Sequence, residues 1–255
     1  MKLKESCKIA FSMYSAIPTP YADWSKENMK YAVCFFPVVG VACGALLCLW
    51  RWLGEMLQIG TVLFAAVCVL IPFLVTGGIH MDGFCDTSDA LASHQTREKK
   101  LEILKDSHTG AFAVIACICY CVWMLGLWSE LTPDWNTVLI LSVGYVLSRS
   151  FSGMSIVSFR CAKNSGLLAT FSDGAQKKNV RIVMGIFMAL CAAGMIAIRP
   201  VTGLLVLLGA VLSFIYYRVM SYRQFGGTTG DLAGHFLQIC EAAMLLGAVV
   251  AQKLG

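Results

Sequence analysis

What most constrains this chain is a succession of stretches that carry no charge, or almost none, over about the length needed to cross a bilayer. They fall near 31–50, 56–79, 111–129, 135–159, 182–198, 201–217 and 232–252. At about 1.5 Å per helical residue, each spans or nearly spans a hydrocarbon core of roughly 30 Å. Of the 255 residues 58% are hydrophobic and only 14% charged, which excludes an ordinary soluble domain. The expected fold is therefore all-α: a polytopic membrane bundle of about seven transmembrane helices in a single integral membrane domain, 1–255. The fifth and sixth runs have a tight hairpin around Arg199-Pro200 as their alternative. No cleavable signal peptide is expected, because charges and prolines interrupt 1–30 ahead of the first run.

A net charge of +5 raises the question of nucleic acid, and its distribution answers it. With the amino terminus in the cytosol, alternation of the runs leaves Arg51, Arg199 and Lys253 outside. Nearly every other cation falls inside, among them Lys26, Lys30, Lys99, Lys100, Arg160, Lys163, Lys177, Arg181, Arg218 and Arg223. That is the positive-inside pattern, so the partner is the lipid bilayer and no nucleic acid is needed. The same alternation puts the carboxyl terminus outside. Most of the twelve cysteines lie within the apolar runs and read as small hydrophobes, without a disulfide framework. Cys117, Cys119 and Cys121 alternate on a segment that must be helical in lipid, so they are expected to point apart and to make a poor zinc site.

The longest inner connections, 79–110, 160–181 and 218–230, share one membrane face and carry the unusual residues. In the first, Asp82, Asp86 and Asp89 stand at i, i+4 and i+7, within one stripe of a helix at about 100° per residue. Like charges so placed repel unless a cation compensates them, and an oxygen-only set suits Mg²⁺, or Mn²⁺, bound together with phosphates. The bland alternative is a solvated helix start. Further along, Leu101 and Leu104 among alternating charges read as a short amphipathic surface helix. It ends at Lys105-Asp106, one residue suited to a phosphate and the other to a metal. In the third connection, Gly226-Gly227-Thr228-Thr229 precede Asp231, and glycines with helix-start N–H groups and threonine hydroxyls make an anion cradle. Asp231 has a plain N-cap as its alternative.

Arg149 and Glu241 are ionisable groups inside apolar runs, each about ten residues, roughly 15 Å, from the inner end. They are expected to pair, either as architecture or as part of the site. His80 sits at the same mouth as Asp82, with ligand, phosphate donor and base as its options. His235 shares a helical side with Asp231.

These residues together resemble the cobalamin 5'-phosphate synthase family, also called adenosylcobinamide-GDP ribazoletransferases. The resemblance rests on Gly78-Ile79-His80-Met81-Asp82-Gly83, Asp86-Thr87-Ser88-Asp89-Ala90, Glu102, Lys105-Asp106-Ser107 and Gly110-Ala111-Phe112. It extends in family order through Ile17-Pro18-Thr19-Pro20, Trp24, Phe36-Pro37-Val38-Val39-Gly40, Ser148-Arg149, Ala162-Lys163, Gly166-Leu167, Gly226-Gly227-Thr228-Thr229-Gly230-Asp231 and Glu241. Asn164-Ser165 and Ala169-Thr170-Phe171 are less typical. The resemblance implies a Mg²⁺-dependent transferase of the bacterial inner membrane, its active site facing the cytoplasm. Such an enzyme joins adenosylcobinamide-GDP to α-ribazole or α-ribazole 5'-phosphate and releases GMP. It assigns Asp82, Asp86, Asp89, Asp106 and Asp231 to metal and the 226–229 turn to binding, and leaves His80, Lys105 and Arg149 as catalytic candidates. Association with other cobalamin-synthesis enzymes is left open. One rival is a CDP-alcohol phosphotransferase, whose Asp-Gly is usually followed by Ala-Arg, where this chain has Cys85-Asp86. The other is an ion-coupled transporter, which needs a polar path to the outer side that segments such as 128–136 offer little of.

Overall fold

The computed structural model describes residues 2–163 and 167–254. Asn164, Ser165 and Gly166 of the second connection lie outside the described residues. The chain runs through α1 (Lys2–Tyr14), α2 (Lys26–Met29), a 3-10 turn (Ala32–Phe35), α3 (Phe36–Met56), α4 (Thr61–Thr76), α5 (Ile79–Ala92) and α6 (Arg97–Ile103). It continues through α7 (Ala111–Glu130), α8 (Trp135–Ser158), α9 (Leu167–Gly174), α10 (Lys177–Ile198), α11 (Pro200–Met220), a π turn (Ser221–Phe225) and α12 (Gly230–Leu254). Among the described residues α3, α7, α8, α10, α11 and α12 are the six helices long and apolar enough to cross a membrane. The protein is thus a multi-pass, all-α membrane protein.

The run at 56–79 does not form one long helix. Helix α4 has 16 residues, about 24 Å at 1.5 Å per residue, and the axis then turns by 98° into α5. Hydropathy continues unbroken to Ile79, so the bend has a conformational cause. Gly77 (φ +64°) and Gly78 (φ +80°) both take the left-handed region, which residues with a Cβ adopt at a cost. The Ala16 amide, just after α1, donates to the Val75 carbonyl at 2.8 Å and satisfies part of the exposed end of α4. Helix α5 therefore lies across the end of the bundle, and the six-helix set becomes seven only if the bent pair is taken as one span.

Packing inside the bundle relies on close backbone approach, because lipid removes the hydrophobic drive between helices. At Gly40 of α3 a Cβ would lie 2.5 Å from the Tyr145 carbonyl oxygen of α8. Outward faces stay apolar: Val114, Ile118 and Val122 on α7 and Ile182, Ile186 and Leu190 on α10 are exposed at i, i+4 spacing, the signature of a lipid-facing stripe. Helices α10 and α11 are separated only by Arg199 and pack as a hairpin, so both alternatives read from the sequence, two long helices and a tight link, hold together. At the end away from α5, Asp134 caps α8 by accepting from the Asn136 and Thr137 amides at 3.0 and 3.1 Å. Its carboxylate also meets Arg199 at 3.3 Å, and Gln252 of α12 donates to the Thr132 carbonyl at 2.8 Å. The described cysteines are free thiols. Cys119 does point away and is exposed, but Cys117 and Cys121, one turn apart, share a face and are half-buried.

Candidate active site at the α5–α12 mouth

A cavity of about 340 Å³ opens where α5 crosses the start of α12. The crossing is made backbone to backbone. A Cβ at Gly83 would lie 2.7 Å from the Asp231 carbonyl oxygen and 2.8 Å from its Cα, and one at Gly234 would lie 3.0 Å from the His80 carbonyl oxygen. This contact places Asp82 and Asp231 in one cavity wall, together with His80, Lys105, Lys163, Thr228 and Thr229. Gly83→Ala is therefore expected to force α5 off α12, costing about 1–3 kcal/mol as overpacking does and lowering activity with it. Thermal unfolding compared with Gly60→Ala, where the added carbon meets nothing within 4 Å, checks this.

The three long connections converge on this mouth through main-chain bonds. The Ala162 amide donates to the Thr228 carbonyl, and the Thr228 amide to the Arg160 carbonyl, both at 2.9 Å. Lys163 Nζ donates to the Leu101 carbonyl at 2.7 Å, and Lys100 Nζ to Gln224 Oε1 at 2.7 Å. The 226–229 turn differs from the open cradle expected of it. The amides of Gly226, Gly227 and Thr228 are committed to the carbonyls of Tyr222, Ser221 and Arg160, and the Thr228 hydroxyl bonds the Tyr217 hydroxyl. Thr228 and Thr229 line the cavity, whereas Gly226 and Gly227 are buried beneath it as a locked turn. Two arginines that the sequence reading did not single out do the locking. Arg160 donates to the Gly226 carbonyl from Nε and Nη2 at 3.0 and 2.7 Å, and Arg97 Nε donates to the Phe225 carbonyl at 2.7 Å. Their partners are 66 and 128 residues away, so no local pattern marks them.

Asp82 is exposed, and Asp86, Asp89 and Asp231 are half-buried. Burial first, then the charges of Asp82, Asp231 and Asp89, push the Asp86 carboxyl up to about 6. The acids are thus close enough to oppose one another's ionisation. In the same cavity burial, then the charge of Lys105, lowers the Lys163 ammonium, with Asp231 opposing. Among the described residues no three His, Cys, Asp or Glu side chains stand ready as a closed metal cage. An open oxygen-only set beside lysines nevertheless fits Mg²⁺, which is usually held by one or two carboxylates plus substrate phosphates.

Two of the acids have other work. Asp89 Oδ1 accepts from the Ala113 amide at 3.2 Å and so caps α7 from another helix. Asp106 is exposed, holds its own turn through the His108 amide at 3.0 Å and ring at 2.7 Å, and does not line the cavity. The His108 amide bond, then the ring, keeps its carboxyl below the usual range.

His80 is buried in the cavity wall, edge-on to Phe36 with ring centroids 5.9 Å apart. Burial, then the Arg149 charge, holds its pKa well below that of a free imidazole, so the ring is neutral, and Nε2 has no hydrogen-bond partner. Arg149 itself lies deeper and does not line the cavity. Its Nη1 pairs with Glu241 Oε1 as expected and also donates to Ser148 Oγ at 2.9 Å and the Tyr145 carbonyl at 3.3 Å. His235 stacks on Phe84 at 5.1 Å, a packing role.

Fold and site define a multi-pass membrane protein with a cavity at one end of its bundle, lined by the carboxylates of Asp82 and Asp231 together with the ammonium groups of Lys105 and Lys163. The cobalamin-5-phosphate synthase family model matches residues 6–249. An adenosylcobinamide-GDP ribazoletransferase of Lachnoclostridium phytofermentans is 44% identical over 252 residues, covering 99% of this chain and 96% of that protein. Proteins of the same description from Clostridium perfringens and Brevibacillus brevis are 30% and 33% identical, over 96% and 93% of this chain and 98% and 94% of their own lengths. No solved structure matches. The chain belongs to the cobalamin-5-phosphate synthase family.

Proposed function

We propose that this chain joins adenosylcobinamide-GDP to α-ribazole or its 5'-phosphate, releasing GMP, at the α5–α12 mouth. The observation that carries the reading is the convergence of Asp82 and Asp231 with Lys105 and Lys163 around one cavity, in a chain of this family. A hydroxyl of the ribazole attacks the phosphorus that bears the cobinamide. The new P–O bond forms as the bond to GMP breaks, and the hydroxyl proton passes to a base. Asp82, Asp86 and Asp231 would hold Mg²⁺, or Mn²⁺ in its place. When bound, the metal supplies positive charge against the diphosphate and the departing GMP. Lys105 and Lys163, beside these carboxylates, neutralise phosphate oxygens. His80, whose Nε2 has no hydrogen-bond partner, is the proton acceptor in this reading. Asp89 and Asp106 act at one remove in this reading, Asp89 by fixing α7 against α5 and Asp106 by shaping the turn that follows Lys105. Arg149 acts from below, through its charge on His80.

Cation distribution orients the mouth toward the cytoplasm, as it does the amino terminus, and, with the bent α4–α5 pair counted as a seventh crossing, leaves the carboxyl terminus outside. In a cysteine-depleted background, single cysteines at positions 99 and 178 are expected to resist an impermeant reagent in intact cells and one at position 254 to react. Labelling in the reverse pattern would invert the topology. The activity itself is tested with purified protein in lipid, adenosylcobinamide-GDP, α-ribazole 5'-phosphate and Mg²⁺. GMP and cobalamin phosphate are expected in equal amounts, and their absence with intact protein and substrates sinks the reading.

A further inference from the structure

The cavity has a second wall that the phosphate chemistry leaves without a task. Helices α5 and α12 and the connections supply its carboxylates, lysines and threonines, whereas α1, α3 and α9 supply Met13, Tyr14, Phe36, Leu168 and Phe171, and Ile156 of α8 joins them. The aromatic members pack against one another. Tyr14 and Phe36 stack at 4.1 Å, Tyr14 and Phe171 lie 6.0 Å apart, and Trp24 meets Phe171 edge-on at 6.2 Å. Phe36 and Phe171, almost wholly buried, back this wall and hold it rigid, while the half-buried Met13, Tyr14 and Leu168 make its accessible face.

We propose that this aromatic wall is the seat of the acceptor's base: it takes the flat, apolar bicycle of α-ribazole, so that the ribose and phosphate reach the lysine and carboxylate wall. The inference rests on the proposed transfer reaction and goes beyond it by dividing the two substrates in space. Three observations carry it. Size is the first: about 340 Å³ is near the lower end of small-molecule cavities, which run from about 300 to 1,000 Å³. That suits a nucleotide-sized acceptor, while a corrin macrocycle has to remain outside and send in only its diphosphate arm. Polarity is the second. Guanine, the other base in the reaction, presents a carbonyl, an amide N–H and an amino group at its edge, and each needs a partner when buried. The aromatic wall offers no carboxylate, amide or guanidinium for them, and its hydroxyls, those of Tyr14 and Ser152, are too few for guanine's three edge groups. A dimethylbenzimidazole asks for none, and its two methyl groups and ring faces gain from burial against aromatics and methionine. Position is the third, because Phe36 of this wall touches His80, the proposed proton acceptor, which places an acceptor hydroxyl beside its base.

The test is calorimetric binding of α-ribazole 5'-phosphate, and of its adenine counterpart, to the full chain in lipid nanodiscs, followed by steady-state kinetics. The variants are Phe171→Leu and Met13→Gln. Met13 is half-buried, which makes its replacement tolerable should Phe171→Leu fail to fold. Both are expected to weaken α-ribazole 5'-phosphate binding by about tenfold, the scale of a missing apolar contact in a pocket. KM for adenosylcobinamide-GDP and inhibition by GMP should be unchanged. Met13→Gln should also narrow the preference over the adenine compound. Unchanged acceptor binding in folded variants overturns the proposal, as does a weakened GMP inhibition, which would seat guanine there instead. The two readings fail separately. Wild-type protein that binds the acceptor but releases no GMP sinks the transfer reaction, and a working enzyme indifferent to Phe171 and Met13 sinks only this assignment.

Discussion

Asp82→Asn and Asp231→Asn are each expected to lower turnover by about 10²-fold or more, the loss typical of removing one preorganised charge-stabilising group from a transition state. Expression and thermal unfolding should change little, because Asp82 is exposed and Asp231 only half-buried, and Asn keeps the volume. The two acids come from helices that touch at Gly83, so their losses should not simply add. Asp89 provides the internal contrast. Its amide counterpart can still accept from the Ala113 N–H, so Asp89→Asn should keep the cap on α7. Asp89→Ala should lose it, at about 1 kcal/mol. A collapse of turnover in Asp89→Asn with unaltered stability would instead place Asp89 among the metal ligands. Initial rates of GMP release and melting in detergent decide between these outcomes.

The second large effect belongs to the buried pair. Arg149 is wholly and Glu241 almost wholly buried, and Arg149 Nε has no hydrogen-bond partner even with Glu241 in place. Arg149→Met leaves a carboxylate and Glu241→Gln a guanidinium without its counter-ion in the bundle interior. Each is expected to cost about 3–5 kcal/mol, and the double variant should recover part of that. A double-mutant cycle read by thermal unfolding shows it; strictly additive losses would mean that the two do not interact. If the double variant is stable but inactive, Arg149 matters to the reaction as well, through the charge that it projects on His80.

Charge-free runs were a sufficient guide to the crossing helices because lipid punishes exposed charge everywhere along a span. They said nothing of the bend after α4, where apolar residues continue past two left-handed glycines. The acidic stripe was legible because i, i+4, i+7 spacing is a property of one helix. How its members divide their work was not, since the partner of Asp89 is an amide 24 residues on. Pairing of Arg149 with Glu241 could be read from equal depth alone. The locked 226–229 turn could not, because Arg97 and Arg160 reach it across three connections, and on the sequence they look like ordinary surface charges. Likewise nothing in the sequence joins Tyr14, Phe36 and Phe171 until α1, α3 and α9 are seen to meet at one cavity.

The central claim, that metal and diphosphate bind together between the α5–α12 acids and the two lysines, is tested most directly by Mn²⁺ binding followed by electron paramagnetic resonance on protein in lipid. With adenosylcobinamide-GDP present and acceptor withheld, wild-type protein should bind Mn²⁺ tightly, and far more weakly without the donor. Asp82→Asn and Asp231→Asn should lose that donor-dependent binding while Asp106→Asn retains it. Wild-type affinity in both Asp82→Asn and Asp231→Asn would contradict the account.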